Sequence, residues 1–94
     1  MNSDKVKSFI DDRSYLFWYI PEDKKQEVSH ELLVETIFNY GDLNDIRTLI
    51  SVLGFEKLTE IYNGLKGRKK MNYYPEMLNF LSLIIGHYAQ RNSR

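Results

Sequence analysis

The side chains here with the chemistry to act are two histidines, a series of spaced glutamates, a run of lysines and a surplus of aromatic rings. His30 and His87 lie far apart, and neither belongs to a ligand spacing such as His-x-x-x-His, so they read as a surface or capping histidine and a partly buried one. The chain has no cysteine, which removes disulfides, zinc–cysteine sites and thiol catalysis together. No Gly-x-Ser-x-Gly nucleophile turn occurs. Gly64-Leu65-Lys66-Gly67 has the glycines of a phosphate loop but lacks the preceding strand and the Lys-Ser/Thr pair that would hold phosphate and magnesium. Glu27, Glu31 and Glu35, at a spacing of four, could gather a cation, but no glycine turn or histidine accompanies them. The expectation is a non-catalytic protein with no cofactor and no metal.

The charged and aromatic residues point to binding instead. Formal charges balance at 13 basic and 13 acidic, so no global field favours nucleic acid or membrane. The balance hides an asymmetry: residues 1–65 hold seven Lys/Arg against twelve Asp/Glu, while residues 66–94 hold six Lys/Arg against Glu76 alone. Lys66, Arg68, Lys69 and Lys70 form the basic cluster, suited to nucleic acid, to an acidic partner, or to internal pairing with Glu27, Glu31 and Glu35. Seven Tyr, five Phe and one Trp are more aromatic surface than a chain of 94 residues easily buries. Tyr and Trp combine an apolar body with a polar edge, the combination that anchors interfaces. Tyr15, Trp18, Tyr19, Tyr73 and Tyr74 are the expected exposed set, with Trp18 also a candidate for the core beside Leu16 and Phe17.

Helices must position these groups. Tyr74 to Tyr88 contains the most apolar run, opened by Pro75 at a first-turn position and Glu76 at the positive end of the helix dipole. Apolar residues on most of its sides predict a central post surrounded by other helices. Val6, Phe9 and Ile10 suit a short peripheral helix over 1–13, capped by Ser3 or Asp4. Ser14 to Ile20, stopped by Pro21, reads as a helical turn capped by Ser14, because no second strand exists to pair with it. A helix after Lys25 runs to Tyr40, with Leu33, Ile37 and Tyr40 on one face and the glutamates as a stripe. Gly41 suits a positive φ after the last turn, and Asp42 suits the next N-cap. Leu43, Ile46, Leu49, Ile50 and Leu53 form an amphipathic face ending at Gly54, and Phe55 opens a further helix closed by Asn63-Gly64. The sum is an all-α bundle of four to five short helices around an apolar C-terminal helix, one domain over 1–94 with its core in 14–90 and a tail at 91–94. The Met77–Ile85 run is shorter than the ~20 residues that span a bilayer, and no apolar signal core follows Met1, so a cytoplasmic protein is expected.

A set of positions also resembles a known family. Leu16-Phe17-Trp18, Pro21-Glu22, Glu35, Tyr40-Gly41-Asp42-Leu43 with Asp45, Leu49, Gly54, Pro75 and Asn79-Phe80 occur in the order seen in small uncharacterised bacterial helical proteins, a domain of unknown function often encoded beside nucleotidyltransferase toxins of the abortive-infection type. The resemblance spans residues 16 to 86 and departs from the pattern at Tyr19, Tyr74 and Leu81. It implies an accessory or antitoxin-like role.

Two functions follow as expectations. One is a protein–protein interaction module, docking a partner or a second copy through Trp18, Tyr19, Tyr73 and Tyr74. The alternative is a nucleic-acid-binding regulator that uses Lys66, Arg68, Lys69 and Lys70 with a helix-turn-helix-like segment over 46–65. The second helix of that segment offers Glu56, Lys57, Glu60 and Asn63, a nearly neutral recognition face.

Overall fold

Ser3, Ser29 and Asp42 each accept a backbone N–H at the start of a helix, and these caps set most of the register of the chain. The computed structural model describes residues 2–92. Helices α1 (Asp4–Asp12), α2 (His30–Tyr40), α3 (Leu43–Leu53), α4 (Phe55–Asn63), α5 (Arg68–Met71) and α6 (Pro75–Asn92) follow in order, with 3₁₀ turns at Ser14–Phe17 and Glu22–Glu27 between α1 and α2. No strand occurs among the described residues. The protein is an all-α bundle with a radius of gyration of 13.1 Å, that of one compact domain of this length. No helix of the described residues is long and apolar enough to cross a membrane.

The first helix is part of the core and not peripheral. Val6, Phe9 and Ile10 are buried, and Arg13, at its end, reaches Asp45 on α3 with Nε 2.8 Å from the carboxylate. Asn2 donates to the carbonyls of Gln26 and Val28, tying the start of α1 to the second 3₁₀ turn. The turn at Ser14–Phe17 has Arg13 at its N-cap position and no side-chain cap, so Ser14 does not play the role its type suggests.

The centre of the bundle is α2, where the C-terminal helix was expected. Leu33, Val34, Thr36, Ile37 and Phe38 have no exposed surface, and α2 packs against α3, α4, α6 and the first 3₁₀ turn. Among the described side chains of α6, Leu81 and Ile85 are buried, while Leu83 is 54 % exposed and Met77, Leu78, Phe80 and Ile84 are partly covered. An 18-residue helix docked along α2 and α4 shows its outer side to solvent however apolar its composition. The described part of α6 also continues to Asn92, into the stretch expected as a tail; residues 93–94 lie outside the described residues.

Gly41 is required for a different reason than expected. Its φ is −83°, open to any residue, but a Cβ there would lie 2.8 Å from the Ile37 carbonyl and 3.0 Å from Asp45 Cβ. Asp42 and Asp45 cap α3 reciprocally: Asp45 N–H donates to Asp42 Oδ1 at 2.8 Å, and Asp42 N–H donates to Asp45 Oδ2 at 2.9 Å. The absent Cβ leaves room for that exchange. Gly54 alone joins α3 to α4, with a φ of +87° that glycine adopts without strain.

Candidate interaction surface

Leu16 and Phe17 are pinned in the core, so the next two residues emerge at the surface. Trp18 is 62 % exposed and its ring meets Tyr19 at 5.2 Å and Tyr40 at 4.9 Å, both edge to face. Tyr40 in turn meets Tyr74 at 5.9 Å in the same arrangement. Tyr19–Trp18–Tyr40–Tyr74 is therefore a continuous ladder of four exposed rings drawn from three separate parts of the chain. Edge-to-face neighbours set the positive ring edge against the negative ring face, which orders the ladder without burying it.

Polar contacts hold it in place. Tyr19 and Thr36 share a hydrogen bond between their hydroxyls, which also satisfies the buried Thr36. Asn39 clamps the turn before α6 from both sides of its amide: Nδ2 donates to the Asn72 carbonyl at 2.8 Å, and Oδ1 accepts from Tyr74 N–H at 3.0 Å. Burial raises the Tyr19 pKa, opposed by the Thr36 bond and reinforced by the Glu35 charge. The Tyr74 hydroxyl raises that of Tyr40, with Glu35 again adding to the effect. Burial also raises the pKa of Glu35, against a hydrogen bond from Asn72 that favours its carboxylate. Glu35 makes no ion pair among the described residues.

Tyr73 does not belong to this surface. It is 4 % exposed, inside the core cluster, and its hydroxyl is buried without a hydrogen-bond partner among the described residues. Burial, then the charges of Glu35 and Glu31, push its pKa well above the usual phenol range. The Asn39 clamp aims Tyr74 outward, and its neighbour turns in. Tyr15 is exposed but makes no ring contact with the four. Tyr40 is the member that helical periodicity hides: its spacing from Leu33 and Ile37 marks it as core, but as the last residue of α2 it projects past the elements that cover those two.

The basic segment is partly structured as α5, which buries nothing. Lys69 is internally paired, with Nζ 2.8 Å from Glu31 Oε2. Lys66, Arg68 and Lys70 are exposed and form no ion pair among the described residues. Glu27 precedes α2 in the second 3₁₀ turn and faces Lys7 at 3.9 Å, so the acidic stripe reduces to Glu31 and Glu35. Over 46–65 the turn between α3 and α4 is the single Gly54, shorter than a helix-turn-helix connection. On the exposed face of α4, Lys57 lies 3.9 Å from Glu60.

Two open clefts hold the histidines. One, of 370 Å³, is lined by His30, Glu31, Lys57, Glu60 and Lys69. Burial lowers the His30 pKa, helped by the Lys57 charge. The other, of 450 Å³, lies between Phe55, Ile84, His87, Tyr88 and Arg91, where the Phe55 and Tyr88 rings stack at 4.6 Å. Among the described residues no group of three or more His, Cys, Asp or Glu is placed to hold a metal. In comparisons with known proteins, no family model, curated protein or solved structure matches the chain.

Proposed function

We propose that the protein is a non-catalytic protein–protein interaction module whose docking surface is the Tyr19–Trp18–Tyr40–Tyr74 ladder. The observation behind this reading is the ladder itself. Four large rings are ordered by hydrogen bonds and mutual contacts yet left exposed, where folding gains little from them. Rigid aromatic side chains lose little conformational entropy on binding, which makes them the usual centres of interface energy. The antitoxin-like or accessory role implied by the family resemblance is one form such a module takes, and a cytoplasmic site of action fits a chain without cysteine.

Lys66, Arg68 and Lys70, exposed and in no ion pair among the described residues, favour a second reading, a nucleic-acid contact through the phosphate backbone. Capture of partners by the tagged protein from its native lysate, with and without nuclease, decides between them. The interaction reading predicts a stoichiometric protein that survives nuclease. Recovery of nucleic acid alone, lost steeply with salt as counterions are released, would replace it with the second.

A further inference from the structure

The cleft between α4 and α6 differs from its neighbours in the sign of its walls. Ile84, His87, Tyr88 and Arg91 share one face of α6, at helical spacings of three and four, and Phe55 at the start of α4 stands across the 450 Å³ space from them. The Phe55 and Tyr88 rings stack at 4.6 Å with 8° between their planes, and Ile84 packs against the core. Among the described residues no carboxylate lines this cleft. The cleft at His30 has Glu31 and Glu60 in its walls, and the one between α1 and α3 has Asp4 and Asp12. Arg91 is exposed and forms no ion pair among the described residues. The negative pole of α6 meets the positive pole of α4 here, so the helix dipoles offset and the side chains decide the sign. A space of this size with apolar walls and a few convergent polar groups is the usual form of a small-molecule site.

We propose that this cleft binds a small planar aromatic carboxylate. The parallel Phe55 and Tyr88 rings offer a flat apolar wall on which a third ring can stack, with Ile84 beside it. A guanidinium matches a carboxylate with two parallel N–H bonds, which fixes the ligand's orientation as well as its charge. His87 and Arg91 are four residues apart, about 6 Å between their Cβ atoms, so one carboxylate can meet the guanidinium and the imidazole N–H together. A cationic ligand would find nitrogen donors and no acceptor of opposite charge, and a neutral one would leave the Arg91 charge unused. The site takes no residue from the Tyr19–Trp18–Tyr40–Tyr74 ladder, so this inference and the interaction reading stand or fall separately.

The test titrates the ¹⁵N-labelled protein with 2-naphthoate and follows its amide resonances. Three matched probes isolate the parts of the recognition: the neutral 2-naphthamide, the cationic 2-naphthylmethylamine and the saturated decalin-2-carboxylate. Naphthoate is expected to saturate at about 1 mM or below, with the shifts centred on Phe55, Ile84, His87 and Tyr88. The amide is expected to bind about tenfold more weakly and decalin carboxylate at least about threefold more weakly, with no response to the amine. Arg91→Ala should weaken naphthoate about tenfold, and Arg91→Glu should abolish it while admitting the amine. Arg91 is exposed, so both variants should keep the fold, which their amide spectra establish directly. Equal binding of naphthoate and its amide, or of naphthoate and decalin carboxylate, overturns the inference. So do undiminished binding by Arg91→Ala, shifts centred away from the cleft, and a failure to saturate by about 5 mM.

Discussion

Replacing Asp45 with alanine should be the most damaging change to a charged residue in this protein. Its carboxylate accepts from Arg13 Nε at 2.8 Å and from Asp42 N–H at 2.9 Å, joining α1 to α3 while closing the capping box. The two side chains of the ion pair are 14 % and 11 % exposed. Removing one member of a buried pair costs about 3–5 kcal/mol, and the lower end applies because the Arg13 head retains its contact with the Phe9 ring. Half of the capping box adds about 1 kcal/mol, for a total near 4 kcal/mol. In a domain of this size that lowers the midpoint of thermal unfolding by roughly 16–32 °C. Arg13→Ala should cost less, about 2 kcal/mol, because Asp45 keeps its backbone hydrogen bond. The pH dependence has a definite sign. Burial disfavours the Asp45 carboxylate, but the Asp42 N–H and the Arg13 guanidinium outweigh it and hold its pKa below 3.8. Its contribution is then complete above pH 3.8 and lost as pH falls through the depressed value. Thermal unfolding followed by circular dichroism from pH 7 to pH 2 should show the gap between the wild type and Asp45→Ala narrowing at the acid end. A midpoint within about 4 °C of wild type at pH 7 would refute the reasoning, being no more than ~1 kcal/mol.

The remaining predictions concern packing. Tyr73→Phe removes a buried hydroxyl that has no hydrogen-bond partner among the described residues and should leave stability unchanged or raise it by up to about 1 kcal/mol, whereas Tyr73→Ala should cost about 3–5 kcal/mol. Urea unfolding separates the two cases, and a destabilised Tyr73→Phe would show that the hydroxyl is bound. Gly41→Ala should cost about 1–3 kcal/mol, since its Cβ meets Ile37 O at 2.8 Å. Gly86→Ala, in mid-helix with nothing within 4 Å of the added Cβ, should stabilise by about 0.5–1 kcal/mol. Equal effects at the two glycines, measured by thermal unfolding, would contradict the packing described at Gly41.

What the sequence conveyed and what it withheld have physical reasons. The all-α class was legible because caps and 3.6-residue periodicity are local, as at Asp42 and at Val6, Phe9 and Ile10. The centre of the bundle was not: the apolar run within Tyr74–Tyr88 drew the reading to α6, whereas α2 is the more apolar helix over its full length, and the fold surrounds it and accommodates its Thr36 by pairing it with Tyr19. That pairing joins residues distant in sequence and has no periodic signature. The aromatic surface was legible as an excess of Tyr and Trp, and Trp18, Tyr19 and Tyr74 lie in it. Tyr73 and Tyr40 exchange their expected places, because Asn39 sets which way the 73–74 pair faces and because the face of a helix carries no information about where its neighbours end. Internal pairing of the basic cluster with the acidic stripe is realised once, at Lys69 and Glu31.

The most direct test of the central proposal is a paired measurement on Tyr40→Ala/Tyr74→Ala. Its unfolding midpoint and its capture of the nuclease-resistant protein partner are compared with those of wild type. The rings are exposed, so the account predicts a stability loss of less than about 1 kcal/mol alongside loss of about 2 kcal/mol or more of partner affinity. Unchanged capture by a folded variant, or a loss of stability as large as the loss of binding, would contradict a ladder that exists for docking.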